Sequence, residues 1–365
     1  MNITWLTVCP SGDQIDLLRA LTKVEGLKLR VLYCSPEPVK GDLRSDEPDG
    51  RGQALSGIAL RILGGKVFFN PSIVRWILRD DCELSVIAGY IHPTMQLAMF
   101  LHTLQGRPWV LFAERPGVHM RGKMVRKLRA SLLLLARHAS AIITTGTLAE
   151  RDYRLLCGKK PLYCSIPYLV DLNPFLQIQR PGVRKPRIRF LYCGQLIPRK
   201  GVDTLIRAFL RVVAMYSNVE LEIMGDGPAK ERLQGMVPNE FQNRIIFAGS
   251  IPFEQRVTHF QDADALVHPA RHEGWGVVIQ EAMAAGLPIL STRDTEAAVT
   301  LVQDGRNGFL VPTNDVEALY QQIRWLVEHP DQVVVLGQRA REDVAQYTPE
   351  WGAERLLQIA RRIVG

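Results

Sequence analysis

Two glutamates, Glu273 and Glu281, stand on either side of a glycine-bearing helix start and carry the densest chemical information in the chain. Gly276 precedes an apolar run from Val277 to Ala285, Gly286 can supply a left-handed stop, and Pro288 forbids continuation. The spacing predicts a helix of about two to three turns. Residues 265–268 before it and 288–291 after it read as buried parallel strands, which makes a strand–loop–helix–strand unit. The first N–H groups of such a helix, those of Gly276, Val277 and Val278, have no partner inside it. They lie at the positive end of the macrodipole, so they can hold a phosphate. Gly274 and Gly276 let a ligand approach the backbone closely. Glu281, one turn inside, can accept hydrogen bonds from vicinal hydroxyls such as those of a ribose. Glu273, in the loop before, lies on the side where a sugar joined to that phosphate would project. Taken alone, the pair also suits a solvent-facing Glu281 and a first-turn acid at 273 favoured by the dipole.

The residues around this unit decide between the readings. A strand ending at Gly194 is followed by Gln195, a loop, and then Lys200-Gly201 opening a helix; further motifs occupy 223–228, 247–251 and 304–312. In type and order these segments, with Glu273 and Glu281 seven residues apart, resemble glycosyltransferase family 4. The resemblance is strong over about half the chain and weaker elsewhere. It implies a GT-B architecture: an α/β protein of two facing Rossmann-like domains with parallel sheets and an interdomain cleft. It also implies a donor site in the second domain, with Lys200 on the diphosphate as a compact cation that stabilises charge growing on the leaving nucleotide. Family members usually place an Arg directly after the strand's glycine. Here that position is Gln195, and Arg199 is the candidate substitute. Ser250 and Ile251 are expected to meet the donor base through their backbone. Retention of anomeric configuration is likewise an implication of the resemblance.

No cofactor or metal is expected beyond the nucleoside diphosphate sugar itself. Asp262 and Asp264 have the spacing with which a different glycosyltransferase fold holds a divalent cation, but they precede a buried strand and read as a helix end and its turn. Helix ends and Lys200 can already neutralise the phosphates. The six cysteines are scattered without close pairing, as expected of reduced core thiols in a cytosolic protein. The first residues lack the cationic start and long apolar run of a signal peptide, and no stretch approaches the length of a membrane span.

At 365 residues the chain exceeds what one core usually supports. Strand and helix patterns alternate throughout. First-half strands are expected at 3–8, 29–33, 84–88, 109–113, 141–144 and 162–165, and second-half strands at 188–193, 219–224, 244–247, 265–268, 289–291 and 309–311. The proline, glycine and charge of 179–187 mark a linker. The expected division is therefore an acceptor domain at 1–178, the linker, and a donor domain at 188–346. A C-terminal helix at 347–365 is expected, by resemblance, to cross back to the first domain.

In the first domain, Gly12 sits in the opening loop, and His92 and Glu114 follow buried strands, where ligands bind in open α/β sheets. Glu114 occupies a position where many relatives carry a His near the sugar, and is a candidate for acceptor contact; a strand-end cap is the other reading for it and for His92. From Arg121 to Arg137 basic residues recur without an acid. Met124, Val125, Leu128, Leu132 and Leu135 keep helical spacing, with Lys123, Arg126, Lys127 and Arg137 opposite, joined by Leu133 and Leu134. Such a helix suits either an anionic membrane surface or a core-packed helix with a solvated face. The net charge of +8 favours surface attraction in either case.

The expected activity is retaining transfer of a hexosyl unit from a nucleoside diphosphate sugar to a hydroxyl acceptor, in polysaccharide or lipid-linked glycan synthesis. The expected setting is cytoplasmic, peripheral on the inner membrane face. Two other classes use the same features: a GT-B sugar nucleotide epimerase or hydrolase, and a non-catalytic basic module for membrane or nucleic acid. The last lacks an RNA-stacking motif.

Overall fold

The structure is a computed structural model that describes residues 1–8, 12–35, 52–62, 65–79, 81–116, 123–180 and 187–365. The opening loop at 9–11, the start of the basic segment at 117–122 and most of the linker, 181–186, lie outside the described residues, as do the side chains of Asp13, Lys123, Val125 and Arg126; Gly12 begins the first helix.

The chain forms two compact units, one made of 1–170 and 347–365 and the other of 171–346. The first holds β1 (Asn2–Thr7), β2 (Lys28–Tyr33), β3 (Gly52–Ala54), β4 (Ile58–Ile62), β5 (Gly65–Phe69), β6 (Leu84–Ala88), β7 (Trp109–Ala113), β8 (Ala141–Thr144) and β9 (Leu162–Ser165). Seven of these make a parallel sheet in the order β3-β2-β1-β6-β7-β8-β9, and β4 with β5 forms a separate antiparallel hairpin. The apolar runs of β1, β6 and β7 are buried along their length, as strands covered on both faces must be. The C-terminal helix Pro349–Val364, N-capped by Thr348, buries Leu356, Leu357 and Ala360 in the same core as Trp5 and Val86. Strand β3 carries Gly-Gln-Ala, with no apolar alternation to announce it.

The second unit holds β10 (Ile188–Cys193), β11 (Val219–Met224), β12 (Ile245–Gly249), β13 (Ala265–His268), β14 (Ile289–Thr292) and β15 (Gly308–Val311), parallel throughout, in the order β12-β11-β10-β13-β14-β15. Its helix Val202–Met215 turns Leu205, Phe209, Val212 and Val213 onto the sheet, where Phe209 meets Phe190 edge-on at 5.7 Å.

The division between the units falls eight residues before the expected end of the first domain at 178. Packing explains the shift. Phe175 is fully buried against Phe260, with ring centroids 5.0 Å apart. Arg180 donates to the carbonyls of Phe260 and Ala285, each at 2.7 Å, and to that of Ala263, and Arg341 donates to Ala284 at 2.9 Å and Ile178 at 2.7 Å. These carbonyls include last-turn acceptors of two helices, Phe253–Asp262 and Val277–Ala284. Residues 171–180 are thereby part of the second unit.

The basic segment also differs from its expected facing. Its α-helix spans Lys123–Leu132 and passes through a turn into the 3-10 segment Leu135–His138. Of the expected apolar stripe, Met124 is 80 % exposed and Leu128 52 %, while Leu132 and Leu135 pack partly buried against the core; Leu133, expected on the polar side, is buried. The helix's core contact comes from its C-terminal end.

Candidate active site

In the second sheet the chain leaves β10 toward β11 and leaves β13 toward β14, in opposite directions from two neighbouring strands. A crevice at the carboxyl ends of such a pair is where open α/β sheets bind ligands. The two loops that border it are 194–201 and 269–276.

The first loop ends in a 3-10 turn, Pro198–Lys200, followed by Gly201 at φ 67°, N-cap of the Val202–Met215 helix. A side chain at 201 would run into the carbonyl oxygen of Pro269, so glycine is what lets the two loops touch backbone to backbone. The second loop is pinned at Glu273, whose N–H donates to the Asp294 carbonyl at 3.1 Å and whose carbonyl accepts from the N–H of Glu296 at 3.3 Å. It ends at Gly276, φ 99°, which caps the helix Val277–Ala284 with no side-chain cap bond. The terminal amides at Gly276, Val277 and Val278 thus open that helix without a side-chain acceptor.

The two loops bring opposite charges together. The Lys200 ammonium pairs with one carboxylate oxygen of Glu273, and Arg199 donates to the other at 3.0 Å and to the His272 carbonyl at 2.9 Å. The Lys200 side chain is 12 % exposed and that of Arg199 39 %, so Lys200 is the enclosed partner and Arg199 lies at the rim. Behind them His268 is fully buried, stacks on Tyr192 at 6.2 Å, and holds Nε2 3.6 Å from Glu273. Burial alone would push the Glu273 carboxyl up; the neighbouring His268 and Lys200 outweigh it and hold Glu273 well below the usual carboxylate range. Glu273 is therefore a carboxylate, able to accept hydrogen bonds and unable to donate a proton. Burial pushes the His268 imidazole down, toward its neutral form.

Glu281 is 5 % exposed, not solvent-facing. The Cys193 thiol is pushed up to about 12, first by burial and then by the charge of Glu281, with Arg256 and Lys200 opposing. Glu281, Arg256 and Lys200 thus lie within electrostatic reach of Cys193 at the carboxyl end of β10. Gln195 is exposed, its carbonyl accepting from the Tyr192 hydroxyl at 3.0 Å. Ser250 and Ile251 follow β12, and the Ile251 carbonyl accepts from Arg256 at 3.4 Å.

Glu114 belongs to the first unit. It follows β7, is exposed, accepts from the Tyr168 hydroxyl, and offers its backbone carbonyl to Tyr153 at 3.1 Å. Beside it Arg115 and Asp152 form a buried ion pair of 2.9 Å. His92 accepts from the N–H of Phe68 at 3.2 Å through Nδ1 and lies 5.5 Å from the Phe68 ring, which assigns it to holding the β4–β5 hairpin. Asp264 sits at the other end of the sheet, accepting from the N–H of Arg189 at 2.8 Å, while Asp262 closes the preceding helix. Among the described residues there is no group of three His, Cys, Asp or Glu side chains placed to hold a metal ion, and no helix long and apolar enough to cross a membrane.

Residues that the sequence pattern passed over include His268, Tyr192, Arg256, Asp203 and Arg271. Arg271 lies two positions before Glu273, but nothing in its spacing marks it, because its partners are distant in sequence.

Comparison with known proteins bears on the fold and the family. Residues 176–343 match the family model described as glycosyl transferases group 1. The chain is 25% identical over 266 residues to a GDP-mannose-dependent monoacylated alpha-(1-6)-phosphatidylinositol monomannoside mannosyltransferase of Corynebacterium glutamicum, covering 68% of this chain and 69% of that one. It is 33% identical over 156 residues to a GDP-mannose-dependent alpha-(1-6)-phosphatidylinositol monomannoside mannosyltransferase of Mycolicibacterium smegmatis, covering 40% of this chain and 41% of that one. Among solved structures, Anabaena Alr3699/HepE in complex with UDP superimposes with a TM-score of 0.76 at 18% identity, over 99% of this chain and all of that one. Sucrose-phosphate synthase from Thermosynechococcus elongatus does so with a TM-score of 0.72 at 20% identity, over 99% and 98% of the two chains. The chain is a glycosyltransferase of GT-B fold, related to the group 1 type.

Proposed function

We propose that the protein transfers a hexosyl unit, with retention, from a nucleoside diphosphate sugar to a hydroxyl acceptor. The observation that carries this is the meeting of Lys200, Arg199 and Glu273 beside the uncapped start of the Val277–Ala284 helix, with buried Glu281 one turn in. Cations and free amides are what a diphosphate needs, and a buried carboxylate is what a ribose diol needs. Arg199 supplies the second cation that Gln195 does not.

In the reaction, the bond between the anomeric carbon and the phosphate oxygen breaks while the acceptor oxygen bonds to that carbon on the same face. The acceptor proton passes to the departing phosphate. Lys200, Arg199 and the amides of Gly276, Val277 and Val278 stabilise the charge on the leaving group. Glu273, held as a carboxylate, accepts hydrogen bonds from sugar hydroxyls and orients the ring. Ser250 and Ile251 meet the base through their backbone. Glu114, on the first unit, engages an acceptor hydroxyl.

The acceptor we favour is a lipid-linked glycan at an anionic membrane surface on the cytoplasmic side. The names of two relatives specify phosphatidylinositol mannosides, and here the helix Lys123–Leu132 exposes Met124 and Leu128 beside Lys127. Each cation near such a surface contributes about 1 kcal/mol, and exposed apolar side chains add to it.

The test is a thermal-shift panel of UDP-, GDP- and ADP-sugars, followed by product analysis with and without acceptor. A ligand at a hundredfold excess over its Kd stabilises the folded state by about 2.7 kcal/mol. No shift with any member would sink the donor site, and sugar nucleotide turnover that ignores every acceptor would favour a hydrolase or epimerase.

A further inference from the structure

The Arg199 and Lys200 side chains, which this reading assigns to the diphosphate, both ride on the three-residue turn Pro198–Lys200. Arg271 bridges that turn to the loop that carries Glu273. Its guanidinium donates to both carboxylate oxygens of Asp203, each at 2.9 Å, to Thr204 Oγ1 at 3.4 Å and to the Pro198 carbonyl. Its backbone N–H donates to the Arg199 carbonyl at 2.8 Å. Its Nε donates to Asn314 Oδ1 at 2.6 Å, and Asn314 is the one non-glycine residue with positive φ, 63°, among the described residues. A strained backbone kept in place beside a functional loop is a constraint that the surroundings must hold. Here the partner that fills its side-chain acceptor is Arg271. Asp203, 9 % exposed, begins the helix that follows the turn; burial would raise its carboxyl, and the Arg271 guanidinium outweighs this and holds it low, so the pair is ionised. A planar fork held at two oxygens fixes direction as well as distance, which a single-point lysine contact would not.

We infer that Arg271 is a positioning residue for diphosphate recognition: through Asp203 and the Pro198 carbonyl it holds the turn that presents Arg199 and Lys200 at a fixed separation from Glu273. The inference rests on the donor site proposed above. It predicts a selective defect. Losing the fork displaces both cations together, so affinity for the diphosphate falls while the contacts made to the nucleoside by Glu281 and the backbone remain.

The experiment is calorimetric binding of UDP and GDP, and of the matching nucleosides, to the full chain and to three variants: Arg271→Gln, the double variant Arg271→Gln/Asp203→Asn, and Asn314→Gly. The double variant leaves no lone buried carboxylate and carries the test if Arg271→Gln does not fold. The expected result for both Arg271 variants is a ratio of diphosphate to nucleoside affinity at least about tenfold below wild type, and turnover down by about a hundredfold, the scale of a misplacement near one ångström. Asn314→Gly, which keeps the fork, is expected to move the ratio in the same direction by less. An unchanged ratio in the folded double variant overturns the inference. Failure of the wild-type chain to bind either diphosphate overturns instead the donor site itself, and the two failures are thus distinguishable.

Discussion

At the carboxyl edge of the second sheet, Glu273 sits between two cations and over a buried imidazole, whereas at that of the first sheet Glu114 is exposed and meets a tyrosine hydroxyl. Both carboxylates follow a central parallel strand, and the chain has a glycine or proline close by in each case. Among the described residues, what separates them is the density of fixed charge: Glu273 meets two cations, the kind of fixed arrangement that electrostatic preorganisation requires, while beside Glu114 the ion pair of Arg115 with Asp152 is buried. On the function proposed above, charge recognition falls to the second unit and contact with neutral hydroxyls to the first.

Substitution can break that contrast, and the largest effect is expected in the second unit. Lys200→Ala and Glu273→Ala should each lower turnover by about 10²–10³-fold, the range for removing a preorganised transition-state contact, with unfolding midpoints close to wild type; wild-type turnover in either would remove that residue from the mechanism. Next in size, Glu281→Ala should weaken nucleoside binding by about tenfold or more, as loss of a hydrogen bond to a charged group does, and Glu114→Gln should raise the acceptor KM while leaving donor affinity alone. If Glu114→Gln weakened the donor instead, the division of labour between the units would be wrong. The smallest effect concerns pH. Buried His268 refuses a proton that the unfolded chain takes up below about pH 6.5, so its contribution to stability is complete above that value and declines as the pH falls. Denaturant unfolding of wild type and His268→Gln at about pH 7.5 and about pH 5.5 should show a steeper acid loss in wild type. Parallel slopes would mean that His268 does not titrate in this way.

How far the sequence reveals the molecule varies by region for physical reasons. Strands such as β6, β7, β10 and β13 announce themselves because parallel strands buried on both faces need unbroken apolar runs. The helix behind Gly276 is bracketed by glycine and proline and ends within a residue of expectation. Strand β3 is invisible, since three residues at a sheet edge are held by the backbone of β2 rather than by their own side chains. The outward turn of Met124 and Leu128 is also illegible: periodicity identifies an apolar stripe but not what covers it. At the site, Glu273, Glu281 and Lys200 are legible through motif spacing. Arg271 and His268 are not, because Asp203, which Arg271 grips, and Tyr192, on which His268 stacks, are about seventy positions away and brought near by the adjacency of β10 and β13.

The anchoring of residues 171–180 bears on how the second unit can be handled as a separate piece. A fragment begun at β10, the natural choice from the strand pattern, would strip Phe260 of its aromatic neighbour and leave the carbonyls of Phe260, Ala263 and Ala285 without the Arg180 donor. One begun at Asp171 would keep them, so the cut for expression belongs at the earlier residue.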